Sequence, residues 1–420
     1  MFKSIKEHWQ ALLLLVLLCW MLGASAYHGA VNPNSNITGI DFQAYYAATQ
    51  RLANGGSLYP PDGNYMYAPL VAWALLPFAD VPLATCVQWW SVLNIAAVFI
   101  AVALYARAAR LGWEHAVGLS IALLVTFRFW PTVCNLGMGQ VNCLLLALVA
   151  GIILADFRDR VYLVGVLIAF AALIKLWMIG LIIHLAVRRA WGAVAGCLAA
   201  FAAMLAGNFF LVGWSEWPAF CQKIASPAAS VQDTLVSQSL LGFARLRFAS
   251  NSLVTPFTTD PLAYKLFLAA GVLAIGLALA WLCWSGPARS SQEARLRTGF
   301  VMLSLLLILP LCHMEYFILA LPLLWTLLAP APGDRTHFAT ILAGFAIYVA
   351  FTRPVPVSGP SLAFFREGAR SLLVSIPFFT AVALWVVALA EIYRLRRMTA
   401  SAPQPNNPQT APTSDRAVTA

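Results

Sequence analysis

Charge is scarce in this chain: Asp, Glu, Lys and Arg supply 10% of its 420 residues, against roughly 25% in a soluble domain. Long polar stretches are scarce too, which leaves too little soluble chain for a nucleotide-binding domain. There is no Walker A loop, no GxGxxG in a βαβ context and no HExxH, so an ATP-driven pump and a cytosolic nucleotide-sugar enzyme are both disfavoured. The eight cysteines are scattered, mostly within apolar runs, without CxxC or Cys/His spacing. They read as small core hydrophobes, and neither a metal nor a cofactor is expected. Period-two alternation is missing as well, which argues against a membrane β-barrel.

What fills the chain is apolar. Hydrophobic residues make up 61% and mean hydropathy is +0.79. Runs near 20 residues recur along the length, each able to cross about 30 Å of hydrocarbon as a helix. The net charge of +10 falls in Lys/Arg clusters at the ends of these runs. That is a topology signal and points to no nucleic-acid partner. The expected fold is all-α, a polytopic integral membrane protein with about twelve transmembrane helices and both termini inside. The membrane domain is expected over residues 1–398, with a disordered, polar tail at 399–420. Residues 9–27 read as a retained first helix, although Ala24-Ser25-Ala26 also resembles a signal-peptide cleavage site. A first outer loop covers 28–69 and is followed by an apolar piece, 70–78, too short to span and expected to be re-entrant or interfacial. A second outer segment covers 213–261. Between basic clusters at 156–160 and 188–189 the apolar run 161–187 reads as two short helices with a turn at Lys175, which places that lysine at the outer face.

The stretch from Thr38 to Leu70 is composed unlike its surroundings. It holds Asp41, five tyrosines (Tyr45, Tyr46, Tyr59, Tyr65, Tyr67) and a glycine pair. The topology brings Asp41, Arg128, Gln140, Lys175, Gln238, Arg245, His313 and Glu315 to the same outer side. Ionisable groups at membrane depth are costly and more often functional than decorative. A carboxylate base with cationic donors on one face suits deprotonation of a hydroxyl and departure of an anionic phosphate. On this reading Asp41 is the base. Lys175, His313 and Arg245 face the phosphate, and Gly139 and Gln140, just ahead of a helix, offer a backbone anion site. Tyr45, Tyr46, Tyr67 and Gln238 shape the substrate cavity. The plainer alternatives are a surface loop, a snorkelling lysine, a structural histidine and an ordinary glycine turn.

The segments DFQAYYAA (41–48), GGSLYPP (55–61), YMYAPL (65–70), QWWSVLN (88–94), GMGQVNCLLL (137–146), KLWMIGLIIHLAVRRAW (175–191) and SQSLLGF (237–243) together resemble glycosyltransferase family 87 over residues 5–395. Tyr67-Ala68-Pro69-Leu70 departs from the family's YPPL, and Lys175-Leu176 from its Lys-Pro. The resemblance implies a GT-C-type membrane enzyme that moves a hexose, mannose in this family, from a polyprenyl-phosphate donor. The acceptor would be a glycolipid, polysaccharide or protein hydroxyl on the periplasmic side of the inner membrane, within the lipid bilayer. It also implies that Asp41 is the general base of an inverting attack and that His313 stands near the donor phosphate. A transporter or flippase of a lipid-linked sugar, or a non-catalytic envelope-assembly protein, would share the spans and buried charges.

Overall fold

The computed structural model describes residues 39–61, 63–111, 116–229, 237–328, 335–352 and 364–400, with Val16, Trp20 and Leu235 besides. Most of the first apolar segment, residues 28–38 of the first loop and the tail from 401 fall outside these, so the expectations for them do too.

Among the described residues the structure is helical, apart from one isolated bridge between Ser237 and His313. In chain order the helices begin with α1 (Ile40–Ala53), α2 (Pro69–Ala74), α3 (Leu83–Ala108), α4 (Ala116–Arg128), α5 (Trp130–Met138) and α6 (Asn142–Phe157). Next come α7 (Val161–Ile174), α8 (Ile182–Val187), α9 (Trp191–Val212), α10 (Glu216–Ala229) and α11 (Leu240–Phe248). The last are α12 (Pro261–Trp284), α13 (Ser291–Ile308), α14 (Leu321–Leu328), α15 (Phe338–Phe351) and α16 (Ile376–Ala400).

Against an expectation of about twelve crossings, four runs among the described residues are long and apolar enough by themselves: Leu83–Ala108, Trp191–Val212, Pro261–Trp284 and Arg370–Thr399. A fifth arises if α4 and α5, bent by 61° about Phe129, count as one. Phe129 leaves helical geometry two residues ahead of Pro131, whose ring fits the first turn of α5 but could not continue α4. The other apolar helices are shorter. The break expected at Lys175 is present: α7 stops at Ile174, Lys175 is extended, and a 3-10 turn (Leu176–Leu181) leads into α8. The expected short piece is α2 followed by the 3-10 turn Leu76–Phe78. The second outer segment is more ordered than a loop, since it carries α10 and α11.

Two helices form the centre. Residues 295–307 of α13 and 317–327 leading through α14 are buried without interruption. Their polar groups meet neighbouring helices: Trp325 Nε1 donates to Thr126 Oγ1 at 2.9 Å, and Trp385 Nε1 to Ser304 Oγ at 2.9 Å. The outside is different. Phe210, Leu262, Leu266, Leu273, Leu277 and Trp284 are exposed along α9 and α12. Such an apolar exterior suits lipid rather than water.

The opening stretch builds a second, aromatic core over one end of the bundle. Phe42, Tyr45, Tyr59, Tyr65 and Trp90 pack with Trp217 and Phe220 of α10. Three of the five tyrosines mainly staple backbone. Tyr46 OH donates to Val81 O at 2.7 Å, Tyr59 OH to Tyr67 O at 2.6 Å and Tyr65 OH to Ala68 O at 2.8 Å.

Candidate active site

Asp41 stands in the first turn of α1, after Gly39 in a left-handed conformation (φ 69°). That turn is pinned to the α5–α6 junction, where Gly39 N–H donates to Gly137 O at 2.8 Å. At the junction Gly139 closes α5 at φ 71°, and a Cβ there would lie 2.9 Å from Phe42 Cβ. The sequence motif around Gly139 therefore serves close packing of α1 against the junction. Trp90 adds to it, its indole N–H donating to Gly139 O at 2.7 Å.

The junction delivers Gln140 to Asp41. Tyr45 OH donates to Tyr67 OH at 2.8 Å, Tyr67 OH to Gln140 Oε1 at 3.2 Å, and Gln140 Nε2 to Asp41 Oδ2 at 2.8 Å. The amide thus faces the phenols with its oxygen and the carboxylate with its nitrogen. Burial holds both phenols well above their ordinary pKa, so they remain neutral donors. Asp41 itself is raised, chiefly by burial and next by the Glu315 carboxylate. The hydrogen bond from Gln140 and the charges of Lys175 and His313 pull the other way. A carboxylate kept more basic than usual, yet oriented by one donor, has the properties of a general base.

Lys175 is buried at the helix break. Its Nζ lies 3.8 Å from the Tyr316 ring centroid and 5.7 Å from that of Tyr67, and has no hydrogen-bond partner in the protein. Aromatic faces stabilise an ammonium, but they leave its three donors for an anion. His313 caps the 3-10 turn Met314–Ala320, with Nδ1 3.1 Å from Glu315 Oε1. The carboxylate fixes the ring and leaves Nε2 for a ligand. Glu315 is buried, and its backbone carbonyl accepts from Asn135 Nδ2 at 2.6 Å.

A cavity of about 690 Å³ opens beside α1, walled by Asp41, Tyr45, Arg51, Asn64 and Tyr67 among others. Lys175 and His313 are not among its lining residues; Lys175 adjoins it across the Tyr67 ring. Of the expected site residues, Asp41, Gln140, Tyr45, Tyr67, Lys175 and His313 thus come together. Three others have different surroundings. Tyr46 is engaged by the turn after α2. Gln238 spends its side chain on Leu235 O, Val374 O and Phe378 N–H, tying α11 to α16. Arg245 is half-buried on α11 and is not among the charges acting on Asp41. Glu315, Tyr316 and Arg51 stand at this site without a role there having been expected of them. Glu315 was legible as a carboxylate two residues after His313 in an apolar run; nothing marked Arg51. Among the described residues no group of three or more His, Cys, Asp or Glu could hold a metal.

An apolar helical bundle with a basic-shifted carboxylate and a buried ammonium at one end has the character of a membrane protein with a polar site at that end. The family model for glycosyltransferase family 87 matches residues 65–310, more than half of the sequence. The chain belongs to that family, and so to the glycosyltransferases. It is also 23% identical over 396 residues to an alpha-(1->3)-arabinofuranosyltransferase of Corynebacterium glutamicum, covering 89% of this chain and 87% of that protein. Asp41 and His313 lie outside the matched stretch 65–310, so their placement rests on geometry and, for Asp41, on the DFQAYYAA motif.

Proposed function

We propose that the protein is an inverting glycosyltransferase that uses a polyprenyl-phosphate sugar as donor. Asp41 takes the proton from an acceptor hydroxyl, and the hydroxyl oxygen forms a bond to the anomeric carbon as the bond to the phosphate oxygen breaks. Polyprenyl phosphate leaves with the negative charge, which Lys175 and His313 Nε2 stabilise. Inversion in one displacement requires no second, nucleophilic carboxylate, and a phosphate leaving group requires no general acid. The observation that carries the reading is the unpaired Lys175 ammonium beside Asp41 and the His313–Glu315 pair. In this reading the Asp41 end of the bundle faces the periplasm and the lipid-linked donor approaches through the bilayer.

The transferred sugar is mannose on the family resemblance. The arabinofuranosyltransferase likeness supports a second reading in which a pentofuranosyl donor of the same polyprenyl-phosphate type is used. Purified protein in nanodiscs, given each labelled donor with glycolipid acceptors, separates them by which donor releases polyprenyl phosphate. Asp41→Asn should lower turnover by about 100-fold or more. Release undiminished in that variant rules out the base assignment, and movement of intact donor across the bilayer without release supports the transporter reading instead.

A further inference from the structure

A second cavity, of about 290 Å³, lies at the other end of the bundle and has no role in the chemistry above. The two sites share an element. Gln140, just before α6, contacts Asp41, whereas Asp156 near the end of α6 lines the second cavity. The fourteen residue steps from Asn142 to Asp156 separate them by about 21 Å of helix.

Arginine dominates the walls. Arg188, Arg289, Arg295 and Arg297 line the cavity with two aspartates, Asp156 and Asp159. Arg188 pairs with both aspartates. Glu293, behind the wall, is shared by Arg297 and Arg396 at 2.7 Å each. The Arg289 guanidinium donates to uncharged groups, the Arg396 carbonyl at 2.9 Å and Thr399 Oγ1 at 3.4 Å. Among the described residues Arg188, Arg289, Arg295, Arg297 and Arg396 outnumber Asp156, Asp159 and Glu293.

The first turn of α13 opens into the same space through Ser290 and Ser291, with Ser290 as its N-cap. A helix start alone would mean little. Here two wall residues that are 2% exposed also carry polar atoms without partners. They are both ring nitrogens of His184, whose Nε2 stands 3.5 Å from Asp156 Oδ2 outside bonding geometry, and Nε of Arg297. One of the two imidazole nitrogens carries an N–H and Arg297 Nε carries another, and buried donors left unsatisfied cost free energy unless a ligand accepts from them. Trp191 and Trp284, 65% and 88% exposed, flank the wall in sequence, three residues from Arg188 and Pro287. Exposed tryptophan is characteristic of headgroup depth in a bilayer.

We propose that this cavity binds a phosphate group, the chemistry shared by an anionic phospholipid headgroup and a soluble phosphate compound, at the end of the bundle opposite Asp41. Planar guanidinium groups and the first turn of α13 line that one cavity. The proposal does not depend on the transferase reading.

The test uses the full chain in neutral detergent and follows its thermal unfolding midpoint. Phosphatidylglycerol, phosphatidylcholine and, at matched ionic strength, inorganic phosphate are titrated against wild type, Arg289→Gln and Ser291→Asp. An aspartate in the first turn favours the helix itself, so Ser291→Asp separates ligand repulsion from misfolding. A saturable rise of the midpoint is expected, with half-saturation moved about tenfold or more to higher concentration in Ser291→Asp by the introduced like charge. A response to phosphatidylglycerol alone identifies a lipid headgroup, and a response to inorganic phosphate identifies a soluble ligand; both support the site. No saturable response, or one that both variants retain unchanged, overturns it. Because stability is read without any donor or acceptor, failure of the transferase assignment leaves this result unaffected.

Discussion

Gln140 bridges two sets of groups, two phenols on one side and a carboxylate on the other. The bond it gives Asp41 favours the ionised form, in opposition to burial and to Glu315. Removing it should make Asp41 more basic still. If Asp41 is the base, turnover falls as pH drops through its raised pKa, so the acid limb lies above the ordinary carboxylate value near 3.9. In Gln140→Leu that limb moves to higher pH, and a pH–rate profile of kcat/KM reads the shift directly. The same raised pKa has a consequence for stability. Asp41 binds its proton more tightly folded than unfolded, so ionisation costs stability, and the cost is complete once pH exceeds the folded value. Asp41→Asn should therefore unfold at a higher temperature than wild type at neutral pH, an advantage that disappears near pH 4. Lys175→Met, with the aromatic faces left in place, should raise KM for the donor about tenfold or more through loss of a charge-assisted contact, while the apparent KM for acceptor stays close to that of wild type.

At the scale of elements, the α5–α6 junction decides whether these groups are aligned. Gly139 is there for two reasons that alanine cannot meet, a left-handed φ and the approach of Phe42. Gly139→Ala should cost about 2 kcal/mol from the backbone conformation alone, visible as a lower denaturation midpoint, and lower turnover by displacing α1 from Gln140. The sequence showed part of this arrangement clearly. Opposed basic clusters around residues 161–187 required a break, and Lys175 sits in it even without the family's proline. Asp41 stood out because so few carboxylates compete with it in an apolar chain. Gly139 and Gln140 were marked, but as an anion site, since a GxG before a helix does not disclose which neighbour it approaches. Gln238 was drawn toward the cavity by its place in a motif; its three backbone contacts come from the C-terminal helix region more than 130 residues away and from a local turn. Pairings of that span leave no mark in local pattern. About twelve apolar runs are legible in the sequence, whereas among the described residues four, or five with the bent pair, are long and apolar enough by themselves. Hydropathy registers apolar runs, whereas length and bending, as at Phe129, depend on what packs around them.

For the whole molecule, the two cavities lie at opposite ends of one bundle, and the topology proposed above puts them on opposite faces of the membrane. Single cysteines at Asn64 and Ala288, in a cysteine-free background, should then react with an impermeant maleimide from opposite sides of sealed vesicles; labelling from one side only contradicts the proposed orientation. Short apolar helices on the outer surface have another consequence. Helices α7 and α15 are 14 residues each, about 21 Å long, and turn Tyr162, Leu163, Phe170, Phe338, Leu342 and Phe345 outward. A hydrocarbon layer of about 30 Å overhangs such flanks, and lipid beside them has to compress or tilt to match. The bilayer would be thinnest along those two flanks, which, with the donor proposed above, shortens the distance a phosphate on a long isoprenoid must sink to reach Lys175. Acyl-chain length then becomes a control on catalysis: turnover should hold in short-chain lipids and decline as the reconstituted bilayer thickens.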